Sequence, residues 1–193
     1  IVTSDRSAFI APYVMDPTKP ERLYFGTNRV YQTSDGAGVW TAISKDLTNN
    51  VSTLSVVSVS PADARVVWAG SNNGQVHVTA NALEAGAVEW TPRREDLPVR
   101  AVTQIKPDPA DPRRAVLTFS GFSGAAGTVA GHVFETVDLG EHWRDITSNL
   151  PNMPVNDVEI DPDLADTLYV ANDIGVFVSR DNGAHWEIGR AHV

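Results

Sequence analysis

Ser179–Trp186 reads SRDNGAHW, and the phrase returns as TVDLGEHW at Thr136–Trp143 and TSDGAGVW at Thr33–Trp40. The common form is Ser/Thr-x-Asp-x-Gly-x-x-Trp, with Ala37 in place of the glycine in the first copy. A worn copy runs from Thr79 to Trp90, with an insertion and no aspartate. Aligned on Trp40, Trp90, Trp143 and Trp186, the chain is a repeat with spacings of 50, 53 and 43 residues. Each element of the motif has a mechanical reason. Asp35, Asp138 or Asp181 accepts backbone N–H bonds across a tight turn, and the Ser or Thr hydroxyl adds another. Gly140 and Gly183 supply a positive φ that a side chain resists, so the turn at Ala37 is expected to differ slightly. Tryptophan closes the motif as a large ring with few rotatable bonds. Trp40, Trp143 and Trp186 are therefore expected to be buried at equivalent places between neighbouring units.

A second marker keeps step with the first: Asp16-Pro17, Ser60-Pro61, Asp108-Pro109 and Asp161-Pro162. An apolar alternating run precedes each (APYVM, LSVVSV, VTQIK, VNDVEI), and another follows (LYFGT, VVWAG, AVLTF, TLYVA). Third runs (VYQTS, VHVTA, HVFET, VFVSR) lead into the motif, and a short fourth run begins at each tryptophan. Four strands per unit, bounded by Pro, Gly, Asn and Asp, specify a propeller blade, and no helical period of useful length occurs. The fold class expected is all-β, a β-propeller segment of four four-stranded blades over approximately 8–46, 51–94, 100–147 and 154–190. Residues 1–193 form a single segment, and Ile1 to Thr3 match the tail of a preceding fourth strand. Four blades are the bottom of the range for a closed ring. An arc of a longer propeller is therefore expected, completed by further blades or by self-association of its bare faces.

Composition narrows the function classes. The formal charge is −9, which argues against nucleic-acid partners and against anionic membrane surfaces. No stretch is long and apolar enough for insertion into a membrane as a helix. With no cysteine, disulfide and thiol chemistry are excluded. No cofactor motif is present. The histidines lack metal-ligand spacing, and His142 and His185 occupy the same place in two repeats. His77 and His132 begin third strands and read as half-buried structural residues. Asp108, Asp111, Asp161, Asp163 and Asp166 are calcium-type ligands in kind, but as turn residues they read as turn setters, and no metal site is assigned.

Strand order puts the aspartate turns and Asp-Pro turns on one face. The other face carries the loops between second and third strands and the links between blades, where propellers usually bind. The ligand-binding candidates there are Asn28, Arg29, Asn72, Asn73, Gln75, Phe122, Asn172 and Asp173. Ser71, Gly74 and the long loop Gly121 to Gly131 flank them. The links add Lys45, Asp46, Arg100, Asn152 and Asn156. Amides, an arginine, an acid and an aromatic suit a polyhydroxyl ligand; the same residue types are also ordinary turn formers. Glycoside hydrolysis would need two carboxylates facing each other. Asp46, Glu95, Asp96, Asp157 and Asp173 are available, but none stands in a motif specifying an acid or a nucleophile, so no catalytic residue is assigned. Tyr13, Tyr24, Tyr31 and Tyr169 fall inside strands and read as packing residues.

The three motif copies, with LPNMPVNDVEIDP (Leu150 to Pro162) and TLYVANDIGVFVSRDNGAHW after it, resemble the Asp-box (BNR) repeat family. That family includes sialidases, xyloglucanase-type glycoside hydrolases, sortilin-type receptors and photosystem II assembly factors. The resemblance covers nearly the whole chain and is greatest to the secreted bacterial xyloglucanase and sortilin types. It implies that Thr33, Asp35, Trp40, Thr136, Asp138, Gly140, Trp143, Ser179, Asp181, Gly183 and Trp186 are structural box residues, away from any ligand. It also implies a secreted or cell-envelope location and a glycan or protein ligand. Three roles are then open: a non-catalytic recognition segment, part of a glycoside hydrolase whose catalytic residues lie partly outside this chain, or a scaffold for a protein partner. The Arg-Ile-Pro signature of sialidases is absent.

Overall fold

A computed structural model describes residues 4–122 and 131–189. Ile1 to Thr3 and the stretch 123–130 of the Gly121 to Gly131 loop lie outside these. Sixteen strands form four separate antiparallel sheets, each a meander in chain order. The first holds β1 (Tyr13–Met15), β2 (Leu23–Gly26), β3 (Val30–Thr33) and β4 (Thr41–Ala42). The second holds β5 (Leu54–Val59), β6 (Val67–Ser71), β7 (Val76–Thr79) and β8 (Thr91–Pro92). The third holds β9 (Val102–Pro107), β10 (Ala115–Phe119), β11 (Val133–Thr136) and β12 (Arg144–Asp145). The fourth holds β13 (Val155–Ile160), β14 (Leu168–Asn172), β15 (Gly175–Ser179) and β16 (Glu187–Ile188). This is a four-bladed segment of a β-propeller.

The apolar cores lie between blades rather than within them. Val56, Trp68, Val76 and Leu97 of the second blade pack with Val102, Ile105, Leu117, Phe119 and Phe134 of the third. Tyr24, Val30 and Leu47 pack with Leu54, Val57, Val67 and Ala69 across the first boundary. Val116, Val133, Ile146 and Leu150 pack with Val158, Leu168, Val170 and Trp186 across the last. Each sheet therefore needs a neighbour to bury its face. The approach is close at the second strand, where a Cβ on Gly70 would stand 2.6 Å from Val102 Cγ1. Hydroxyls stitch the first strands together: Ser55 Oγ donates to Val102 O (2.6 Å), Ser58 Oγ to Ile105 O (2.6 Å) and Thr103 Oγ1 to Val155 O (2.7 Å).

The tryptophans sit at the boundaries in one repeated geometry. Trp90, Trp143 and Trp186 each donate Nε1–H, at 2.9 Å, to a fourth-strand carbonyl of the preceding blade: Ile43, Arg93 and Ile146. Burial is graded, which corrects the expectation of three equivalently buried rings. Trp186 is buried, whereas Trp143 and Trp40 are half-buried. Trp40 has no earlier blade among the described residues and lies edge-on to Phe25, 6.2 Å between centroids.

The aspartate turns share one scaffold. Asp138 Oδ1 accepts from Thr136 Oγ1 (2.8 Å) and His142 N (3.0 Å); Asp181 Oδ1 accepts from Ser179 Oγ (2.8 Å) and His185 N (2.9 Å). Asp35 Oδ1 accepts from Thr33 Oγ1, Gly38 N and Val39 N. The worn second copy keeps the device with an amide: Asn81 Oδ1 accepts from Thr79 Oγ1 and Glu89 N. Two consecutive left-handed residues turn each intact copy: Gly36-Ala37, Leu139-Gly140 and Asn182-Gly183. Ala37 takes φ 80°, beside 78° and 80° for the two glycines, so the first turn does not differ as expected. The hydrogen bonds around it impose the same conformation on an alanine.

Candidate functional site

Backbone bonds separate the two faces of the arc. The aspartate turns donate to the turns between first and second strands, through Gly36 N to Glu21 O, Leu139 N to Arg113 O and Asn182 N to Asp166 O. On the opposite face the interblade links dock against the loops between second and third strands. There Leu47 N donates to Asn28 O, Leu54 N to Thr27 O and Asn72 N to Thr53 O. Leu47, Leu97 and Leu150 recur as buried anchors of these links.

On that loop face the first blade forms a polar cluster. Asn28 is 4% exposed and its Nδ2 donates to Asp46 Oδ2 at 2.5 Å. The other Asp46 oxygen caps its own link, accepting from Thr48 N (2.7 Å), Thr48 Oγ1 (2.9 Å) and Asn50 N (3.2 Å). Arg6 pairs with Asp46 and donates Nε–H to Ser52 O. Burial works to raise the Asp46 pKa, but the bonds from Asn28, Thr48 and Asn50 outweigh it and hold the carboxyl far below its ordinary value. Beside this, Tyr31 Oη donates to Asp5 Oδ2 at 2.5 Å, Thr27 Oγ1 does so at 3.2 Å, and Arg29 Nε lies 3.5 Å from Asp5 Oδ1. Two arginines are thus anchored crosswise on two carboxylates, with the Asn28 Oδ1 acceptor buried and unpartnered.

Asn28, Arg29 and Asp46 are brought together as one group. Asp5, Arg6 and Thr48 complete it and were not singled out from the sequence. Their signal was the Asp5-Arg6 pair in the link before the first blade, at the place where Lys45-Asp46 stands before the second.

The remaining candidates are spread along the face, tied into their own loops or to the adjoining links, and Asn73 reaches Thr48 of the Asp46 group. Asn73 accepts from Ser71 Oγ (2.6 Å) and donates to Thr48 O (3.1 Å); Asn72 donates to Thr53 Oγ1 (2.9 Å); Gln75 is buried. Asn172 Oδ1 accepts from Ile174 N and Gly175 N, and Asp173 accepts from Asn156 Nδ2 (2.9 Å). Phe122 is exposed. Arg100 lies over the Phe119 ring and meets His132 Nδ1 at 3.3 Å, and His132 Nε2 meets Asn152 Oδ1 at 2.9 Å. His132 is fully buried, not half-buried, and burial pushes its pKa down.

Three of the five carboxylates considered for hydrolysis are bonded to neighbouring side chains. Asp157 accepts from Gln104 (3.0 Å), Asp173 from Asn156, and Asp46 is enclosed as above, while Glu95 and Asp96 are exposed on the second link. The carboxyls displaced from their ordinary pKa (Asp16, Asp35, Asp46, Asp63, Asp108, Asp138, Asp161, Asp181) all move downward. A general acid requires the opposite displacement. Of the tyrosines, Tyr24 and Tyr31 are buried, Tyr169 donates to Asp161 (3.0 Å), and Tyr13 is exposed. Among the described residues no three His, Asp or Glu groups are placed to hold a metal ion, and no helix is long and apolar enough to cross a membrane.

No family model matches the chain, and no curated protein does. Solved structures share its fold. An ancestral GH74 enzyme superposes with TM-score 0.75 at 18% identity, over 99% of this chain and 25% of that one. The GH74 xyloglucanase from Xanthomonas campestris gives 0.70 at 16%, over 93% and 29%. YCF48 from Cyanidioschyzon merolae gives 0.59 at 14%, over 100% and 59%, and YCF48 bound to D1 peptide gives 0.55 at 17%, over 87% and 50%. The chain spans about a quarter of the two GH74 structures. At these identities the likeness defines the class, a β-propeller segment.

Proposed function

We propose that this segment is a recognition module that binds a glycan or a protein ligand on its loop face without carrying out hydrolysis itself. The observation that carries this is the state of the loop-face acids. Asp46, Asp157 and Asp173 are each engaged by a neighbouring amide, and the bonds to Asp46 hold its carboxyl far below its ordinary pKa, opposite to the displacement a proton donor needs. What remains on that face is a set of anchored arginines, amides and the exposed Phe122, which is chemistry for holding hydroxyls or a peptide. The GH74 and YCF48 neighbours support the two ligand classes, since one is named a xyloglucanase and one is named as bound to a peptide. The box residues are structural in this reading, and the protein is secreted or envelope-located, with its ring completed by further blades or by self-association. Calorimetric titration with a xyloglucan oligosaccharide and with an unstructured peptide tests it. Saturable binding of either, lost in Arg29→Ala and kept in Asp138→Ala, is expected. Release of new reducing ends from the oligosaccharide by the purified chain would show catalysis and overturn the reading.

A further inference from the structure

A second concavity runs along the first interblade boundary, from Thr33 and Asp35 of the first aspartate turn to Asp46 of the loop-face cluster. It is a half-open cleft of about 900 Å³, walled by Thr41, Ile43 and Lys45 of the first blade and by His77, Glu89 and Trp90 of the second. This falls within the roughly 300–1,000 Å³ range of small-ligand sites. Two departures from the repeat belong to it. The hairpin leading to Trp90 is longer than its three counterparts, 11 residues from Thr79 against 7 from Thr33, Thr136 and Ser179, and its inserted part supplies Ala85, Gly86 and Val88 to the wall.

The other departure is His77. The strand registers place it where Tyr31, Phe134 and Phe177 stand in the other blades. In the first blade the polar end of that aromatic is satisfied, with Tyr31 bonding Asp5 at 2.5 Å. In the second blade no side chain answers. His77 Nδ1 is buried without a partner, and the ring lines the cleft. A buried nitrogen with no partner disfavours carrying the proton, so the neutral ring presents Nε2–H towards the cleft. Burial pushes its pKa down to about 4, so it is uncharged at neutral pH. The side chains of Thr41, Thr91, Lys45 and Glu89 add further donors and acceptors to the wall. Asp35 and Asp46 also line the cleft, so three carboxylates face the single cation Lys45. Trp90 is fixed edge-first by its bond to Ile43 O and offers an apolar ring.

We propose that this rim cleft binds a neutral pyranose ring, with Trp90 as the apolar platform and His77 and Glu89 as hydrogen-bond partners. An apolar ring bordered by carboxylates, hydroxyls and an imidazole matches a neutral sugar, which has apolar C–H faces and a girdle of hydroxyls that carboxylates accept from. An anion finds no cationic pair there, and a purely apolar ligand would strand the polar rim.

Amide and indole NMR of the full chain, titrated with methyl β-D-glucopyranoside, tests the proposal. Saturable shifts of the Trp90 indole N–H with a Kd on the order of millimolar are expected. The Trp143 and Trp186 signals, in the same geometry at the other two boundaries, are expected to stay in place. His77→Phe installs the residue type found at two of the equivalent positions, so it is expected to fold while weakening binding about 10-fold. Glu89→Gln is a second, exposed variant expected to weaken it. Arg29→Ala is expected to leave this binding unchanged, which separates the cleft from the loop face: either site can fail alone. No saturable shift, equal shifts at all three tryptophans, or full binding by His77→Phe would each overturn the proposal.

Discussion

Ala37 shows how a single residue is overruled by its surroundings. Its φ of 80° matches Gly140 and Gly183, because Thr33 Oγ1 accepts from its N–H and Asp35 holds Gly38 and Val39 just beyond. A left-handed conformation costs a non-glycine residue about 1–2 kcal/mol, and glycine returns part of that gain through its freer unfolded chain. Ala37→Gly is therefore expected to raise stability by roughly 0.5–1 kcal/mol, read as a higher urea midpoint at unchanged m-value. The acid of the motif acts in the other direction. Asp138 gathers Thr136, His142 N and His142 Nδ1, and its carboxyl pKa is lowered to about 2: burial opposes the shift and the His142 bonds drive it. Asp138→Ala is expected to lower the melting temperature while leaving ligand binding by the folded fraction intact. Loss of binding without a change in melting would place the residue in a site instead. The turn chemistry was legible in the sequence because it is local: Ser or Thr, Asp and Gly at fixed offsets build one hairpin. The Asp46 cluster was legible only in part, because Arg6 and Asn28 meet Asp46 from 40 and 18 residues away.

The blade is the unit of architecture but not the unit of stability, since each core is shared by two blades. This makes the tryptophans unequal. Trp186 is 3% exposed and spans the third boundary to Ile146, whereas Trp40 rests only on its own sheet among the described residues. Trp186→Ala is expected to cost about 3–5 kcal/mol, and Trp40→Ala markedly less, in parallel urea titrations of the full chain. Equal losses would show that the indole stabilises its own blade rather than the boundary. From sequence Trp40 and Trp186 close equivalent motifs; the blade that Trp186 reaches across the boundary is what sets them apart. The fourth strand is a similar case. The strand register puts Gly189 N on Val176 O, as Ile43 N is on Val30 O and Ile146 N on Val133 O. Gly189, and not Ile188, thus occupies the place of the other isoleucines, and Ile188 is left 69% exposed. Apolar spacing alone suggests the wrong one of two adjacent residues, because a one-residue shift exchanges the faces of a strand.

At the scale of the whole molecule, acid stability separates into two windows. The His77 ring is half-buried, as expected from its place at the start of a third strand, and desolvation pushes its pKa down to about 4, below its ordinary 6.5. The folded state therefore refuses a proton that the unfolded chain accepts. Stability is full above about pH 6.5 and falls as the pH drops towards 4, by up to about 3 kcal/mol for a shift of this size. Asp138 and Asp181, held near 2 against 3.8, contribute above about pH 4 and lose that contribution only as the pH falls towards 2. A plot of unfolding free energy against pH should thus decline first between 6.5 and 4 and again below 4. Because Phe134 and Phe177 stand at the equivalent places, His77→Phe is expected to shrink the first decline, leaving the part that buried His132 contributes, and to keep the second. That variant also loses the hydrogen bond proposed for the rim cleft. It would then be more stable below pH 6 and bind the pyranoside more weakly, a divergence that general loosening of the fold cannot produce. If the first decline is undiminished in His77→Phe, other groups control it, and the desolvated His77 ring is not what the low-pH loss of stability reports.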